Sequence, residues 1–203
     1  MLALSGMQRW VRPGVFIDAT TIKEDAQGLG AFAPRGGITR KSSFLGVYRA
    51  TNWRVQKRRY SGNNDYVMQC GDWLAMPQGR ICKRKGRVIA RLAKPDLGMY
   101  PICAVQEPPA GTTANCHFVA FYTPRSIGVA GSFPIECVAL YAARDLQSGE
   151  ELFVHYGDSK TRSYDVGTSA PPVFKKDIPD NETPGNWLPP GMPALADGWR
   201  RRA

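Results

Sequence analysis

The chain has 203 residues and a formal net charge of +10, from 27 Lys and Arg against 17 Asp and Glu. This length suits one domain with its own hydrophobic core, and the composition excludes a fibrous or wholly disordered protein. The apolar runs are far shorter than the ~20 residues of a membrane span, and the opening residues are too short and too uncharged for a signal peptide. The sequence therefore predicts a soluble, intracellular protein that is neither secreted nor membrane-bound.

The five cysteines argue against two further classes of protein. They form no CxxC or CxC pair, and His117 and His155 are the two histidines that could join them as metal ligands. An odd number of cysteines without paired spacing argues against a disulfide framework and against a zinc site. No metal is therefore expected.

The basic residues are concentrated in the first half of the chain. Residues 1–100 contain 18 Lys and Arg against 6 Asp and Glu, whereas residues 101–157 contain 2 against 5. Two basic clusters stand out, at residues 54–59 and 83–87. Such clusters bind phosphate or acidic protein surfaces, which makes nucleic acid or chromatin a candidate partner. A solvated loop that only confers solubility explains each cluster equally well.

The first half of the chain predicts short strands separated by glycine turns. A strand is expected at residues 15–17, and Gly28 and Gly30 lead into a second strand. Glycines at a turn usually serve only the backbone angles, so this pair by itself indicates no ligand. A polar turn and a further strand-like stretch with Tyr48 follow, where a cross-strand aromatic is one interpretation of that tyrosine.

Residues 51–99 form a variable middle region. A turn at 61–65 precedes a predicted strand at 66–68, whereas the pattern at 88–92 fits a strand and a short helix equally well. Tyr66 opens the predicted strand, and its simplest interpretation is a core residue.

A proline-rich loop follows the middle region. Its prolines and Gly111 predict a structured loop, in which residues 115–116 open a strand over 117–122. The loop carries Gln106 and Glu107, which as isolated features are ordinary polar loop residues.

The most informative stretch is residues 149–157. After a strand and a charged turn within residues 135–146, a glycine precedes two carboxylates, a short apolar run, and then Tyr156 and Gly157. This order predicts a buried strand that ends in a site. A core strand with a tyrosine at its mouth is the alternative.

Four blocks of the sequence, taken in order, resemble the SET-domain family of protein lysine methyltransferases. They are the GxG and its following strand at 28–33, the stretch with Tyr48, the loop at 106–116 and the GEEL-to-YG segment at 149–157. The loop is similar to a minority form of the family, "NEPP.GT.aNC", and the cysteine-rich zinc motif that follows the domain in other members is absent. The sequence departs from the family pattern at Gln106, where asparagine is usual, and at His155, where aspartate is frequent.

The resemblance implies S-adenosyl-L-methionine as the methyl donor. In the family, the GxG backbone and the loop amide lie against the donor, a tyrosine of the middle region contacts it, and the tyrosine of YG stands beside the transferring methyl. The corresponding residues are Gly28, Leu29, Gly30, Tyr66, Gln106 and Glu107 for the donor, and Tyr156 for catalysis. Aromatic rings wall the lysine channel of the family, and the candidates for that role are Tyr48, Phe121 and Tyr122.

The implied fold is a mainly-β SET domain of several short sheets and few short helices. Its C-terminal segment is threaded under an earlier loop, so Tyr156 and Gln106 are expected to meet. The expected organisation is a lead-in at residues 1–10, the domain at 11–167 and a Pro-rich extended tail at 168–203.

The implied activity is transfer of a methyl group to a lysine of a histone or another basic nuclear protein, in the nucleus or else the cytoplasm. The alternative from another class is a SET-like binding module without catalysis, which contacts chromatin or nucleic acid through its basic surface. Gln106 and His155 favour this alternative, whereas the intact GxG and GEEL segments and Tyr156 favour the enzyme.

Overall fold

The computed structural model describes residues 11–22, 28–48, 52–55, 68–70, 73–76, 81–84, 87–90, 101–122, 135–157 and 164–184. Across these stretches the chain is mainly β, which confirms the predicted class. The strands are β1 (Phe16–Ala19), β2 (Leu29–Phe32), β3 (Phe44–Tyr48), β4 (Asn52–Val55), β5 (Met68–Cys70), β6 (Trp73–Met76), β7 (Ile81–Arg84), β8 (Arg87–Ala90), β9 (Cys116–Tyr122) and β10 (Ile135–Ala142). The described elements also include three short 3-10 helices, Pro101–Ala104, Lys175–Asp177 and Asp180–Glu182.

The described strands form small antiparallel sheets, in the orders β1–β2, β3–β10–β9, β4–β6–β5 and β7–β8. Phe16 pairs with Phe32 in the first sheet. In the second, Val138 of β10 lies between Tyr48 of β3 and Ala120 of β9. Short, separate sheets agree with the expected architecture at this level.

Strands β4 to β8 lie in the region predicted as a variable insert. The predicted strand at 66–68 overlaps β5 at Met68, whereas Tyr66 lies outside the described residues. The ambiguous stretch at 88–92 contains most of β8, so residues 88–90 are a strand rather than a helix.

The sheet β3–β10–β9 is the centre of the fold, because a hydrophobic core packs on each of its faces. Alternate residues of β10 point to opposite faces. Val138 and Leu140 lie in the first core, whereas Ala139 and Tyr141 lie in the second. The first core also holds Leu152 and most of the 3-10 helix at Pro101–Ala104, so it extends to the stretches that carry the predicted site.

A β-bulge in β3 changes which of its residues face each core. The pairing of β3 with β10 shifts by one residue between Leu140 and Tyr141, which leaves Leu45 as an extra residue. Gly46 then faces the first core, where a Cβ atom would lie 2.6 Å from Cγ1 of Ile102. Glycine at this position therefore allows the helix at Pro101–Ala104 to approach the sheet closely.

Residues 168–184 of the predicted tail pack on the second face of the sheet. Ala170, Val173 and Ile178 are buried in the second core. Lys175 covers the same face from outside, with its Nζ 5.0 Å from the centre of the Phe121 ring. This part of the chain is irregular, as its prolines predict, but it contributes to the core.

Glu182 binds this segment to Arg12 and Phe44, which lie far earlier in the sequence. Its carboxylate accepts hydrogen bonds from Nη1 of Arg12, at 3.0 Å to each oxygen, and from the backbone N–H of Phe44 at 2.9 Å. Its carbonyl oxygen accepts a further bond from the Tyr141 hydroxyl at 3.1 Å. A buried carboxylate is tolerated when it is paired and hydrogen-bonded in this way.

Within the ranges given above, no helix has the length and apolar character needed to cross a membrane.

Candidate functional site

Residues 150–156 run between β2 and the loop at 105–116, and they do not form a regular strand. Glu151 makes a single antiparallel bridge to Phe32, and Phe153 makes a single parallel bridge to Gln106. The predicted strand is therefore an extended segment that pairs with β2 at Glu151 and with the proline-rich loop at Phe153. Because one of its neighbours is an irregular loop, a continuous ladder cannot form.

Backbone hydrogen bonds hold this segment on both sides. On one side the N–H of Leu152 donates to the carbonyl oxygen of Ala31 at 2.8 Å. On the other, the N–H of Val154 donates to the carbonyl oxygen of Gln106 at 2.9 Å. The segment thereby joins the glycine-containing strand β2 to the proline-rich loop.

Asn115 anchors the segment through its side chain. This residue is 1% exposed, and its Nδ2 donates to Oε1 of Glu150 at 2.9 Å and to the carbonyl oxygen of Glu151 at 2.7 Å. Its Oδ1 accepts from the N–H of Phe153 at 2.8 Å. Asn115 was not among the predicted site residues. The available signal was its position at the end of a proline-rich loop, immediately before a strand.

Glu150 stabilises the turn that precedes the segment. It forms an ion pair with Arg144, with Nη1 of Arg144 3.1 Å from Oε2, and it also accepts from the backbone N–H of Gln147 at 2.9 Å. Partial burial acts to raise the pKa of Glu150, but Arg144 and these hydrogen bonds outweigh burial and hold the pKa below its usual range. The second acidic position of GEEL, Glu151, has a different role.

Glu151 occupies the space next to Gly30. Its carboxylate accepts hydrogen bonds from the hydroxyl of Thr20 and the N–H of Thr21, both at 2.7 Å, and from the hydroxyl of Thr21. A Cβ atom on residue 30 would lie 2.0 Å from Oε1 of Glu151. A side chain at residue 30 would therefore have to displace the Glu151 carboxylate, a reason for glycine that the GxG pattern did not reveal.

Gln106 connects the loop to the GxG segment. Its Nε2 donates to the carbonyl oxygen of Leu29 at 2.9 Å, across 77 positions of sequence. Leu29 is 46% exposed, and Gly28 and Gln106 are half-buried. These predicted donor-site residues thus lie together at an accessible surface.

Tyr156 lies against the same loop and is 38% exposed. Its hydroxyl donates to the carbonyl oxygen of Val105, 51 positions away, and its backbone N–H donates to Oε1 of Glu107 at 2.9 Å. Oε2 of Glu107 accepts from the hydroxyl of Tyr164 at 2.8 Å. Glu107 is 5% exposed, so both of its oxygens are engaged by protein groups in a buried setting.

Tyr48 is buried in the first core. Its ring meets that of Phe118 edge to face, with 5.9 Å between the centres. Burial raises the pKa of the neighbouring Cys103 thiol to about 12, although a hydrogen bond with Tyr48 lowers it in part. Tyr48 is thus a packed aromatic on the side of the sheet that faces the segment at 150–156.

Of the other two predicted channel residues, Phe121 does not join Tyr48, and the side chain of Tyr122 lies outside the described part of the chain. Phe121 lies in the second core, on the other face of the sheet, where its ring tilts against Tyr141 with 6.2 Å between the centres. Only the backbone of Tyr122 is described, at the end of β9. The structure therefore brings together the residues around Leu29, Gln106 and Tyr156, but not Phe121.

The two histidines take part in local contacts. Nδ1 of His155 accepts from the N–H of Gly157 at 3.1 Å. His117 is half-buried on β9, and burial lowers its pKa. Among the residues that the structure describes, no group of three or more His, Cys, Asp or Glu side chains is arranged to hold a metal ion.

A separate cleft of about 360 Å³ opens beside β1 and β2. Phe16 stacks on Phe32 in its wall with 5.3 Å between the ring centres, and the Arg35 guanidinium lies 4.4 Å from the centre of the Phe16 ring. No predicted site residue lines this cleft. The hydrogen bonds from Gln106 to Leu29 and from Tyr156 to Val105 and Glu107 are the better guide to a functional site, because they join predicted site residues that are distant in sequence.

No model of a known protein family matches the chain, and no curated protein is similar to it in sequence. The function is therefore argued from the residues of this chain.

Proposed function

We propose that this chain is an S-adenosyl-L-methionine-dependent protein-lysine N-methyltransferase of the SET type. The observation that supports it best is the meeting of three distant parts of the sequence at one accessible surface. Gln106 is hydrogen-bonded to Leu29 through its side chain, and Tyr156 is hydrogen-bonded to the residues on either side of Gln106. These are the three places that the resemblance to the family connects with methyl transfer.

The chemistry of the reaction suits such a surface. Methyl transfer from a sulfonium to an amine is an in-line displacement, so the lysine must be neutral and aimed at the methyl carbon from the side opposite sulfur. Catalysis of this kind consists mainly of positioning. The hydroxyl proton of the tyrosine at the reaction centre is donated to a protein carbonyl, so this tyrosine orients the amine rather than acting as a strong base.

The hydrogen bond of Tyr156 supports its assignment to this role. Because its hydroxyl donates to the carbonyl oxygen of Val105, the lone pairs of the phenol oxygen face away from that carbonyl. They can accept a hydrogen bond from the amine and attract the polarised methyl group. Tyr48, in the adjoining core, and Tyr122 stay candidates for the wall of the lysine channel, and Phe121 is omitted because it lies on the other face of the sheet.

The residues near Leu29 fit the donor. The apolar side chain of Leu29 is exposed, and the amide of Gln106 is bonded to its carbonyl oxygen, so a polar and an apolar group lie side by side there. Gly28 and the backbone of Leu29 would contribute peptide groups, whereas Gly30 acts indirectly by admitting Glu151. The donor supplies the electrophilic methyl group, and the chain supplies binding and orientation.

The substrate that we propose is a histone or another basic nuclear protein, which implies a nuclear location. Residues 101–157 contain 2 Lys and Arg against 5 Asp and Glu, and they include most of the site. The net negative charge of this stretch favours approach of a basic peptide, although Glu107 and Glu151 are themselves buried.

Calorimetric titration of S-adenosyl-L-methionine into the purified chain tests the proposal. We expect micromolar binding that weakens at least tenfold, or ~1.4 kcal/mol, in Gln106→Ala. Gln147→Ala is the matched control, since Gln147 is exposed and its described hydrogen bonds are made by its backbone N–H and carbonyl oxygen, which alanine keeps. No binding by a folded wild-type chain overturns the proposal. After binding is established, labelled-methyl transfer to histones is expected to fall about a hundredfold in Tyr156→Phe.

A second function, in a different class, is a non-catalytic module that binds chromatin or nucleic acid. The observation in its favour is the β7–β8 hairpin, whose register pairs Arg84 with Arg87 and Lys83 with Val88. This pairing places three residues of a basic cluster at one end of a two-stranded ribbon. Duplex DNA binding with a steep salt dependence, together with no donor binding, would favour this function over the enzyme.

A further inference from the structure

Glu107 is a buried carboxylate that connects two tyrosines. Its side chain is 5% exposed, and its two oxygens accept hydrogen bonds from the N–H of Tyr156 at 2.9 Å and the hydroxyl of Tyr164 at 2.8 Å. Burial of a carboxylate is unfavourable unless such donors compensate it. The position of Glu107 and the position of Tyr156 are therefore coupled.

The segment that carries Tyr164 is itself fixed to the proline-rich loop. The N–H of Gly167 donates to the carbonyl oxygen of Pro108, and the N–H of Thr168 donates to that of Thr112, both at 2.8 Å. A Cβ atom on residue 167 would lie 2.1 Å from the carbonyl oxygen of Thr112. Tyr164 thus approaches Glu107 from a closely packed support.

Tyr156 is held at two points by two residues of the loop, Val105 and Glu107. Its hydroxyl bonds to Val105 and its backbone bonds to Glu107, so the direction of its ring depends on both contacts. If the backbone contact is lost, the ring can pivot about its hydroxyl. A displacement of ~1 Å at a reacting centre lowers the rate by up to about a hundredfold.

We propose that Glu107 is a positioning residue for Tyr156, and that Tyr164 holds the Glu107 carboxylate in place. The role in methyl transfer rests on the proposed function. It differs from the role that the family resemblance implies for this position, because contact with the donor is not required. Hydrogen-bond acceptance, rather than charge, is the property that Glu107 supplies.

Three variants separate these roles. Glu107→Ala removes both acceptors. Glu107→Gln keeps Oε1 for the N–H of Tyr156 and offers an NH₂ donor to the Tyr164 oxygen, because a phenol can reverse its direction of bonding. Tyr164→Phe removes the donor to Oε2 and leaves Glu107 itself unchanged. Asp165→Asn is the matched control, since it removes an exposed carboxylate from the same segment.

Amide hydrogen exchange of the full chain, labelled with ¹⁵N-tyrosine, measures the contact without any activity. We expect the Tyr156 amide to exchange at least tenfold faster in Glu107→Ala, a fewfold faster in Tyr164→Phe, and at the wild-type rate in Glu107→Gln and Asp165→Asn. The methyl-transfer kcat should fall in the same order, while donor affinity changes less than twofold.

The outcomes separate this proposal from the proposed function. Unchanged exchange of Tyr156 in Glu107→Ala overturns the positioning role. The positioning role is also overturned if Glu107→Gln loses donor binding while its Tyr156 amide exchanges at the wild-type rate. The negative charge of Glu107, acting on the donor, would then be the relevant property. Absence of methyl transfer in the wild type refutes the enzyme, whereas the exchange rates still decide whether Glu107 holds Tyr156. Tyr164→Phe keeps the test valid if Glu107→Ala does not fold.

Discussion

Replacement of Gly30 by alanine tests whether this glycine serves packing or a ligand. At an ordinary strand position the change stabilises by ~0.4–1 kcal/mol, because alanine restricts the unfolded chain. Here the new Cβ would lie 2.0 Å from Oε1 and 2.8 Å from Cδ of Glu151, which is closer than non-bonded atoms approach. The carboxylate would have to leave its position.

The cost of that movement follows from the hydrogen bonds of Glu151. The side chain is 4% exposed and accepts from the hydroxyl of Thr20, the N–H of Thr21 and the hydroxyl of Thr21. A hydrogen bond to a charged group contributes ~1.5–3 kcal/mol net. If two of these hydrogen bonds are lost, and the stabilisation that alanine gives by restricting the unfolded chain is subtracted, the free energy of unfolding should fall by about 2–5 kcal/mol.

Urea unfolding of four proteins, the wild type, Gly30→Ala, Glu151→Ala and the double variant, measures this coupling. Once Glu151 is truncated, the space beside residue 30 is free, so Gly30→Ala should then change the free energy of unfolding by less than about 1 kcal/mol. Equal destabilisation in both backgrounds would refute the packing argument. If Gly30→Ala leaves the free energy of unfolding unchanged but abolishes donor binding, the glycine faces the ligand instead.

Three further predictions concern the same framework. Asn115→Ala should lower the free energy of unfolding by about 2–4 kcal/mol, since it leaves several buried groups unsatisfied; a loss below 0.5 kcal/mol in urea would contradict this. A chain that ends at residue 167 should lose its near-ultraviolet circular dichroism, because the second core is exposed, and retention of a cooperative melt would contradict that reasoning. Because the folded-state pKa of Glu150 is lowered, its stabilising effect is present above the pKa of the unfolded state and is lost as pH falls through the folded pKa. Arg144→Gln should reduce this acid dependence, and an unchanged slope of stability against pH in that variant would count against the ion pair.

The strands were predictable where local pattern decides the structure. The stretches around residues 16–19, 29–32 and 116–122 alternate or are rich in strand formers, and each forms a strand within one or two residues of its expected bounds. Residues 150–156 have the same composition but no regular ladder. Their partners are a strand on one side and a loop on the other, which is a tertiary property that composition does not encode.

The contacts of the site were less predictable than the residues that make them. Gln106 and Tyr156 stand out in the sequence, yet nothing in the sequence indicates that Glu107 accepts from both Tyr156 and Tyr164. Phe121 was expected beside Tyr48, and the two rings lie on opposite faces of one sheet. The β-bulge at Leu45 and the division of the sheet's two faces between two cores determine which face each ring lies on. Neither feature has a distinct signal in the local sequence.

The bond between Arg12 and Glu182 has a consequence for synthesis in the cell. It joins residues 170 positions apart, and the second core needs residues as late as Ile178. Pairing of such distant segments makes folding slow and leaves apolar surface exposed in the meantime. A ribosome must therefore extrude nearly all of residues 11–184 before the sheet β3–β10–β9 is covered on both faces, so this domain is expected to complete its folding only after Glu182 has emerged.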